Sequence, residues 1–181
     1  VAVSVLSEHT CAILDNGEAK CWGMSSNGRL GIGGSHTAPS STAIDLGAGR
    51  TAVALSAGIY HTCAILDNGE AKCWGYDFDG QLGDGGSNSN QLSPVSVSGS
   101  ETWDYSTEQS SISSTSSSFP YANDKVSTGI FHSCAILDNG DLKCWGKNNF
   151  GPLGDGTNTD TNAPSSTAID LGMGRTAVAV S

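Results

Sequence analysis

Six of the 181 residues are cysteine, and they stand in three pairs of one spacing: Cys11 and Cys21, Cys63 and Cys73, Cys134 and Cys144. A histidine precedes each pair by two positions, at His9, His61 and His132. Histidine near cysteine could ligate a metal or activate a thiol for nucleophilic attack. An active site, however, needs unlike residues converging, a nucleophile with a base and an orienting group, and three equal copies supply like residues instead. The histidines are therefore read as repeated positions hydrogen-bonded in a loop, with no catalytic and no metal-ligating residue assigned and no cofactor. The loops "DFDGQLGDG" and "GDGTNTDTN" offer Asp77, Asp79, Asp84, Asp155 and Asp160 as calcium oxygens. They lack the twelve-residue spacing that ends in a bidentate glutamate, so they are read as solvated loops.

The elements that carry these residues repeat too. "HTCAILDNGEAKCWG" occupies residues 9–23, returns unchanged at 61–75, and comes a third time at 132–146 with three conservative changes. "STAIDLGAGRTAVALS" at 41–56 and "STAIDLGMGRTAVAVS" at 166–181 differ at two positions, so the whole unit is duplicated. A period near fifty residues signals repeated supersecondary units. The expected boundaries are 1–52 for the first unit, 53–97 for the second and 121–181 for the third with the start of the next. Residues 98–120 form a Ser/Thr-rich insertion.

Inside each block two short apolar runs are joined by "DNG", a strong hairpin signal. With Asp15, Asn16 and Gly17 as the loop and Gly17 at positive φ, Leu14 faces Glu18, Ile13 faces Ala19 and Cys11 faces Cys21. Opposed strand residues lie about 4.5–5.5 Å apart, which a disulfide can span. The expected bridges are Cys11–Cys21, Cys63–Cys73 and Cys134–Cys144; the alternative is small buried thiols. Disulfides imply an oxidising compartment, so the chain is expected to be secreted or on a cell surface. The sequence begins inside a repeat, without Met or signal peptide.

The balance of 18 acidic against 8 basic residues, net charge −10, leaves no basic cluster for nucleic acid or an anionic membrane. No apolar run is long enough for membrane insertion. With 24 glycines and no amphipathic helical window, the composition suits an all-β chain. Each unit yields four short strands, typified by "TAVALS", "HTCAIL", "EAKCWG" and "STAIDL". The fold class is all-β: β-propeller blades, one four-stranded antiparallel sheet per repeat.

The order "GIYHTCAILDNGEAKCWGYDFDGQLGDG" at 58–85 resembles the repeat of the regulator of chromosome condensation family, with its H-T/S, D-G turn, W-G and G-Q-L-G. Residues 129–156 match nearly as well, and the first copy matches with "GRLG" at 28–31. The resemblance implies a β-propeller, usually of seven blades, whose loops and faces bind other macromolecules. Trp22, Trp74 and Trp145 are then expected to pack between blades. The cysteine pairs depart from the usual motif and favour an extracellular branch. Leu6 stands where Gly58 and Gly129 stand, so the first unit is expected to turn differently there. Three units are fewer than a closed propeller needs, and "VAVS" at both ends is in one repeat phase. The chain is therefore expected to be three repeats of a larger propeller or array.

The insertion breaks the symmetry. Trp103, Tyr105, Phe119 and Tyr121 are candidate partner contacts; equally, the tract could be a flexible decoration with O-linked glycan on residues 106–118. The expected function is a non-enzymatic extracellular binding or scaffolding module whose partner is a protein or other copies of the same repeat. The alternatives are a structural subunit of an extracellular filament or surface appendage and, more weakly, a propeller hydrolase or lyase.

Overall fold

The structure is a computed structural model, and residues 2–103, 125–173 and 175–180 are described. Among the described residues ten strands form three antiparallel sheets, one per repeat. The first holds β1 (Ala2–Leu6), β2 (His9–Ile13) and β3 (Ala19–Gly23); the second holds β4 (Ala52–Ala57), β5 (His61–Leu66), β6 (Ala71–Gly75) and β7 (Gln91–Ser96). The third holds β8 (Val126–Thr128), β9 (His132–Ile136) and β10 (Leu142–Gly146).

The central hairpins have the expected register. Cys11 pairs with Cys21 and Ile13 with Ala19, the Leu14 amide donates to the Glu18 carbonyl at 2.9 Å, and Gly17 takes φ 79°. Asn-Gly closes this loop because only glycine enters the left-handed region at little cost. The β1–β2 turn of the first unit does differ: Ser7 takes φ 61° and Leu6 is 41% exposed.

The fourth strand is regular only in the second unit. In the others it shrinks to an isolated bridge, Gly23 with His36 and Gly146 with Thr161, and one later hydrogen bond, Ile44 N–H to Ala19 O and Ile169 N–H to Leu142 O. The expected "STAIDL" strands are thus loops. Pro39 and Pro164 lack an N–H for a ladder, and Ser40 and Ser165 hydroxyls accept the amides of Thr42 and Thr167, drawing the backbone into local turns.

Two cores lie between the sheets, not within them. One joins Cys11, Ile13, Ala19, Cys21, Leu30 and Ile44 of the first unit to Leu55, Ala57, Leu66 and Trp74 of the second. The other joins Cys63, Ile65, Cys73 and Leu82 of the second to Trp103, Val126, Leu137 and Trp145 of the third. Strand β5 is buried at every position, since alternate side chains enter opposite cores. This is the packing of adjacent propeller blades.

The extra residues of the third unit enter elsewhere than the repeat spacing suggests. Ala52 pairs with Leu66, and after a bulge at Val53 the ladder resumes at Ala54 with Ile65. In the third unit Trp103 takes the place of Ala52: it bridges Leu137, and its amide donates to the Gly69 carbonyl as that of Ala52 donates to Gly17. The ladder resumes with Val126 against Ala135. Residues 104–124 therefore stand where the second unit has one bulged valine. Residues 98–103, expected to belong to the insertion, instead complete the blade. The Ala177 amide donates to Gly140 in the same manner, so residues 176–177 repeat the entry of a further first strand.

Candidate functional site

All three cysteine pairs are disulfides, Cys11–Cys21, Cys63–Cys73 and Cys134–Cys144, each with a Cα–Cα distance of 4.1 Å. The first two face the cores between blades, whereas Cys134 and Cys144 belong to neither core. Cys11, Cys21, Cys63 and Cys73 have no exposed surface, whereas Cys134 is half-buried.

The repeated histidines form a lock between blades. His9 Nε2 lies 2.9 Å from the Thr62 hydroxyl, and that hydroxyl donates to the Arg29 carbonyl at 3.0 Å. Because the hydroxyl proton is committed to Arg29, His9 must donate from Nε2, which fixes its tautomer. The same carbonyl accepts Trp74 Nε1–H at 3.0 Å. The next interface repeats the set: His61 Nε2 to Ser133 at 2.8 Å, and Ser133 hydroxyl and Trp145 Nε1 both to the Gln81 carbonyl at 2.9 Å. Each blade thus gives a histidine and a Gly-X-Leu-Gly carbonyl to the next, and receives a hydroxyl and an indole. The tryptophan lies flush on the last glycine of that motif, since a Cβ on Gly31 or Gly83 would fall 2.8 or 2.5 Å from the indole nitrogen of Trp74 or Trp145.

The electrostatics suit a structural role. Burial, aided by the Arg29 charge, lowers the His9 pKa to about 4. Burial lowers His61 to about 3, with the charges of His132 and His9 adding, and burial lowers His132 as well. His9 and His61 are thus neutral donors at physiological pH, and their Nδ1 atoms meet no partner. Among the described residues no group of three or more His, Cys, Asp and Glu is placed to hold a metal ion.

The proposed contacts separate. Tyr105, Phe119, Tyr121 and the candidate glycan tract at 106–118 lie outside the described residues. Trp103 is 2% exposed, with its ring 5.4 Å from that of Trp145. The structure therefore places it in the core between the second and third blades, not on the surface. Glu101 beside it pairs with Lys143.

A different aromatic surface forms at the opposite end of the blades, away from the Asp-Asn-Gly turns. Tyr60 lies between β4 and β5, Phe131 between β8 and β9, and Tyr76 and Phe78 follow β6. Tyr60 stacks on Phe131 and lies beside Tyr76, with ring centres 5.8 Å apart in both cases. Tyr76 and Phe78 are 5.2 Å apart. The Arg29 guanidinium caps Tyr60 at 5.3 Å and the Lys147 ammonium caps Phe131 at 4.8 Å. Both cations are held, Arg29 by the Ile59 carbonyl and Glu8, Lys147 by Asp79. Phe78 is 61% exposed and Ile130 is 45% exposed. In the first copy Glu8, Met24 and Ser26 stand where Tyr60, Tyr76 and Phe78 stand in the second. This difference between aligned copies was the available sequence signal.

Stacked sheets with a recurring His, hydroxyl and Trp lock define a run of β-propeller blades. The chain carries repeats of the regulator of chromosome condensation family: the family's RCC1 repeat description matches residues 1–29, 52–81 and 124–151. The chain is 30% identical over 166 residues to the ultraviolet-B receptor UVR8 of Arabidopsis thaliana, covering 91% of this chain and 33% of that protein. It is 29% identical over 157 residues to the human E3 ubiquitin-protein ligase HERC2, covering 84% of this chain and 3% of that one. Among solved structures, Prp20p from Saccharomyces cerevisiae superposes with a TM-score of 0.71 at 17% identity, over 92% of this chain and 37% of that one. The chain therefore spans a third or less of the length of these curated relatives, and the structural likeness shows the fold.

Proposed function

We propose that this chain is a protein-binding part of a secreted or cell-surface propeller, non-enzymatic, whose contact surface is centred on Tyr60, Tyr76, Phe78 and Phe131. The aromatic cluster carries the reading: large rings held at a blade junction by capping cations supply rigid contact area at low entropic cost. Phe78 and Ile130 are exposed there although buried apolar positions exist throughout the blades. Support for a protein partner comes from the yeast relative of like fold, Prp20, which has been solved bound to Kap60 and studied for its binding to Gsp1p and histones. Three disulfides support an oxidising environment.

The test is a paired substitution. Photo-crosslinkers at Phe78 and at Asn16, on opposite ends of the blades, are compared on the native protein in its extracellular milieu. Specific adducts from position 78, abolished by Tyr60→Ser with Phe131→Ser, support the reading. Adducts only from position 16, or insensitivity to the double substitution, overturn it.

A second reading, a structural subunit that stacks on like units, is favoured by the outer face of β1. Val3 and Val5 are 55% and 64% exposed, whereas Leu55 and Ala57 at the same positions of the second unit are buried against the first. Concentration-dependent association lost on Val5→Asp would support it.

A further inference from the structure

Tyr76 and Phe78 flank Asp77, and the equivalent position of the third unit, Asn148, shows what that site requires. Asn148 is fully buried; its Oδ1 accepts the Leu153 amide at 3.1 Å, and its Nδ2 donates to Asp155 Oδ1, the Thr157 carbonyl and the Thr157 hydroxyl at 3.1, 3.0 and 3.2 Å. Asp77 is equally buried, and its Oδ1 accepts the Leu82 amide at 2.9 Å. Asp84 stands for Asp155 and accepts the Gly86 amide as Asp155 accepts that of Thr157. The two loops thus share one plan, with one atom changed: the second unit places a carboxylate oxygen where the third places an amide nitrogen. That oxygen, Asp77 Oδ2, is buried without a hydrogen-bond partner.

An acceptor facing another carboxylate needs a positive or donating partner. Among the described residues no lysine or arginine hydrogen-bonds or pairs with Asp77. Lys147 is held by Asp79, and Arg29 by Ile59 and Glu8. From the neighbouring segments Asn90 accepts the Asp77 amide and donates to Asn27, and both are neutral. Asp84 is the one charge acting appreciably on the carboxyl, and it is negative. A proton on Oδ2 would turn the acceptor into a donor and restore the chemistry of Asn148 Nδ2.

We propose that Asp77 is a proton-operated catch: protonated, it ties residues 76–86 together as Asn148 ties residues 147–157, and ionised, it loosens that segment and shifts Tyr76 and Phe78 out of the stack on Tyr60 and Phe131. This rests on the reading of that stack as the contact surface and adds its regulation. Burial first, and the Asp84 charge second, raise the Asp77 pKa to about 6 against the lowering effects of the Leu82 amide and, more weakly, the Ser89 amide. A raised acid favours its protonated form in the fold, so the tie is complete at acid pH and is lost as pH rises through about 6.

The test follows the whole chain by NMR across that range. The Asp77 carboxyl carbon should titrate with a midpoint near 6, and the ring signals of Tyr76 and Phe78 and the amides of residues 76–86 should shift with the same midpoint. In Asp77→Asn those ring signals should stay at their acid-limb positions throughout, and in Asn148→Asp a new titration should appear in residues 147–157. Titration of Asp77 in the ordinary carboxylate range, or Tyr76 and Phe78 shifts that persist unchanged in Asp77→Asn, overturns the proposal. So does calcium moving the same signals at neutral pH in the parent chain, which would assign the site to a metal cation. No partner enters this readout, so a failed crosslinking test of the aromatic surface and a failed titration are separate outcomes.

Discussion

Replacing Trp103 with alanine should be among the most damaging single changes in the chain, although the residue borders a polar, low-complexity tract. The ring is buried against Trp145 among Val126, Leu137, Ile65 and Leu82. An aromatic side chain buries about 150–250 Å², worth roughly 4–6 kcal/mol at 25 cal/mol per Å². Core Trp→Ala substitutions cost about 3–5 kcal/mol in practice. Alanine is native at the equivalent Ala52, so the backbone accepts it and the loss is one of packing. For a chain of this length about 3–5 kcal/mol lowers the thermal midpoint by roughly 6–20 °C. Removal of residues 104–124, joining Trp103 to Lys125 through one valine in imitation of Val53, should leave the midpoint unchanged or raise it, because shortening the loop recovers at most about 3 kcal/mol of closure entropy. Thermal and urea unfolding, followed by circular dichroism, measure both. A loss below about 1 kcal/mol for Trp103→Ala, or a deletion as costly as that substitution, would refute the placement of the insertion at the bulge.

Peptide mapping without reductant should return Cys11 with Cys21, Cys63 with Cys73 and Cys134 with Cys144, and graded reduction should open Cys134–Cys144 first because Cys134 alone is half-buried. Replacing Cys63 and Cys73 together by alanine should cost roughly 2–3 kcal/mol from loop-closure entropy; simultaneous opening of all three bridges would contradict the burial order. Gly83→Ala, whose Cβ would meet Trp145 at 2.5 Å, should destabilise far more than Gly33→Ala, where nothing lies within 4 Å and only the positive φ is penalised; equal losses would dismiss the indole contact. The lowered pKa values of His9 and His61 mean that their neutral forms stabilise the fold above about pH 6.5, and that this is lost as pH falls toward 4 and 3. His61→Gln should therefore lower stability at pH 7 yet flatten the acid limb of a stability profile, and an unaltered limb would exclude the histidine lock as its source.

The hairpins were legible because local chemistry dictates them: Asn-Gly sets the turn, the turn sets the register, and the register brings the cysteines together. The blade interface was half legible. A repeated His, hydroxyl and Trp announced a structural rule, but its partners lie in the neighbouring unit, so no spacing within one repeat could supply the bonds from His9 to Thr62 or from Trp74 to Arg29. The insertion was misplaced because Trp103 hides a conserved phase. Thr102-Trp103 matches Thr51-Ala52 and Thr176-Ala177, yet a tryptophan next to a Ser/Thr tract reads as part of the tract. The aromatic surface went unseen because Tyr60 and Phe131 come from different units and meet only after the blades pack.

The histidine lock also has a direction. At both described junctions the earlier unit offers the imidazole and the carbonyl and the following unit answers with the hydroxyl and the indole, so these junctions are heterologous and share one plan. Length in such a chain is a free variable: a unit can be gained or lost by recombination between near-identical copies without redesigning a single interface. What cannot be exchanged so freely is the identity of the side chains at 60, 76, 78 and 131, which differ between copies while the lock stays constant. The repeat therefore divides labour between a conserved joint that makes units interchangeable and a few loop positions that make each of them individual.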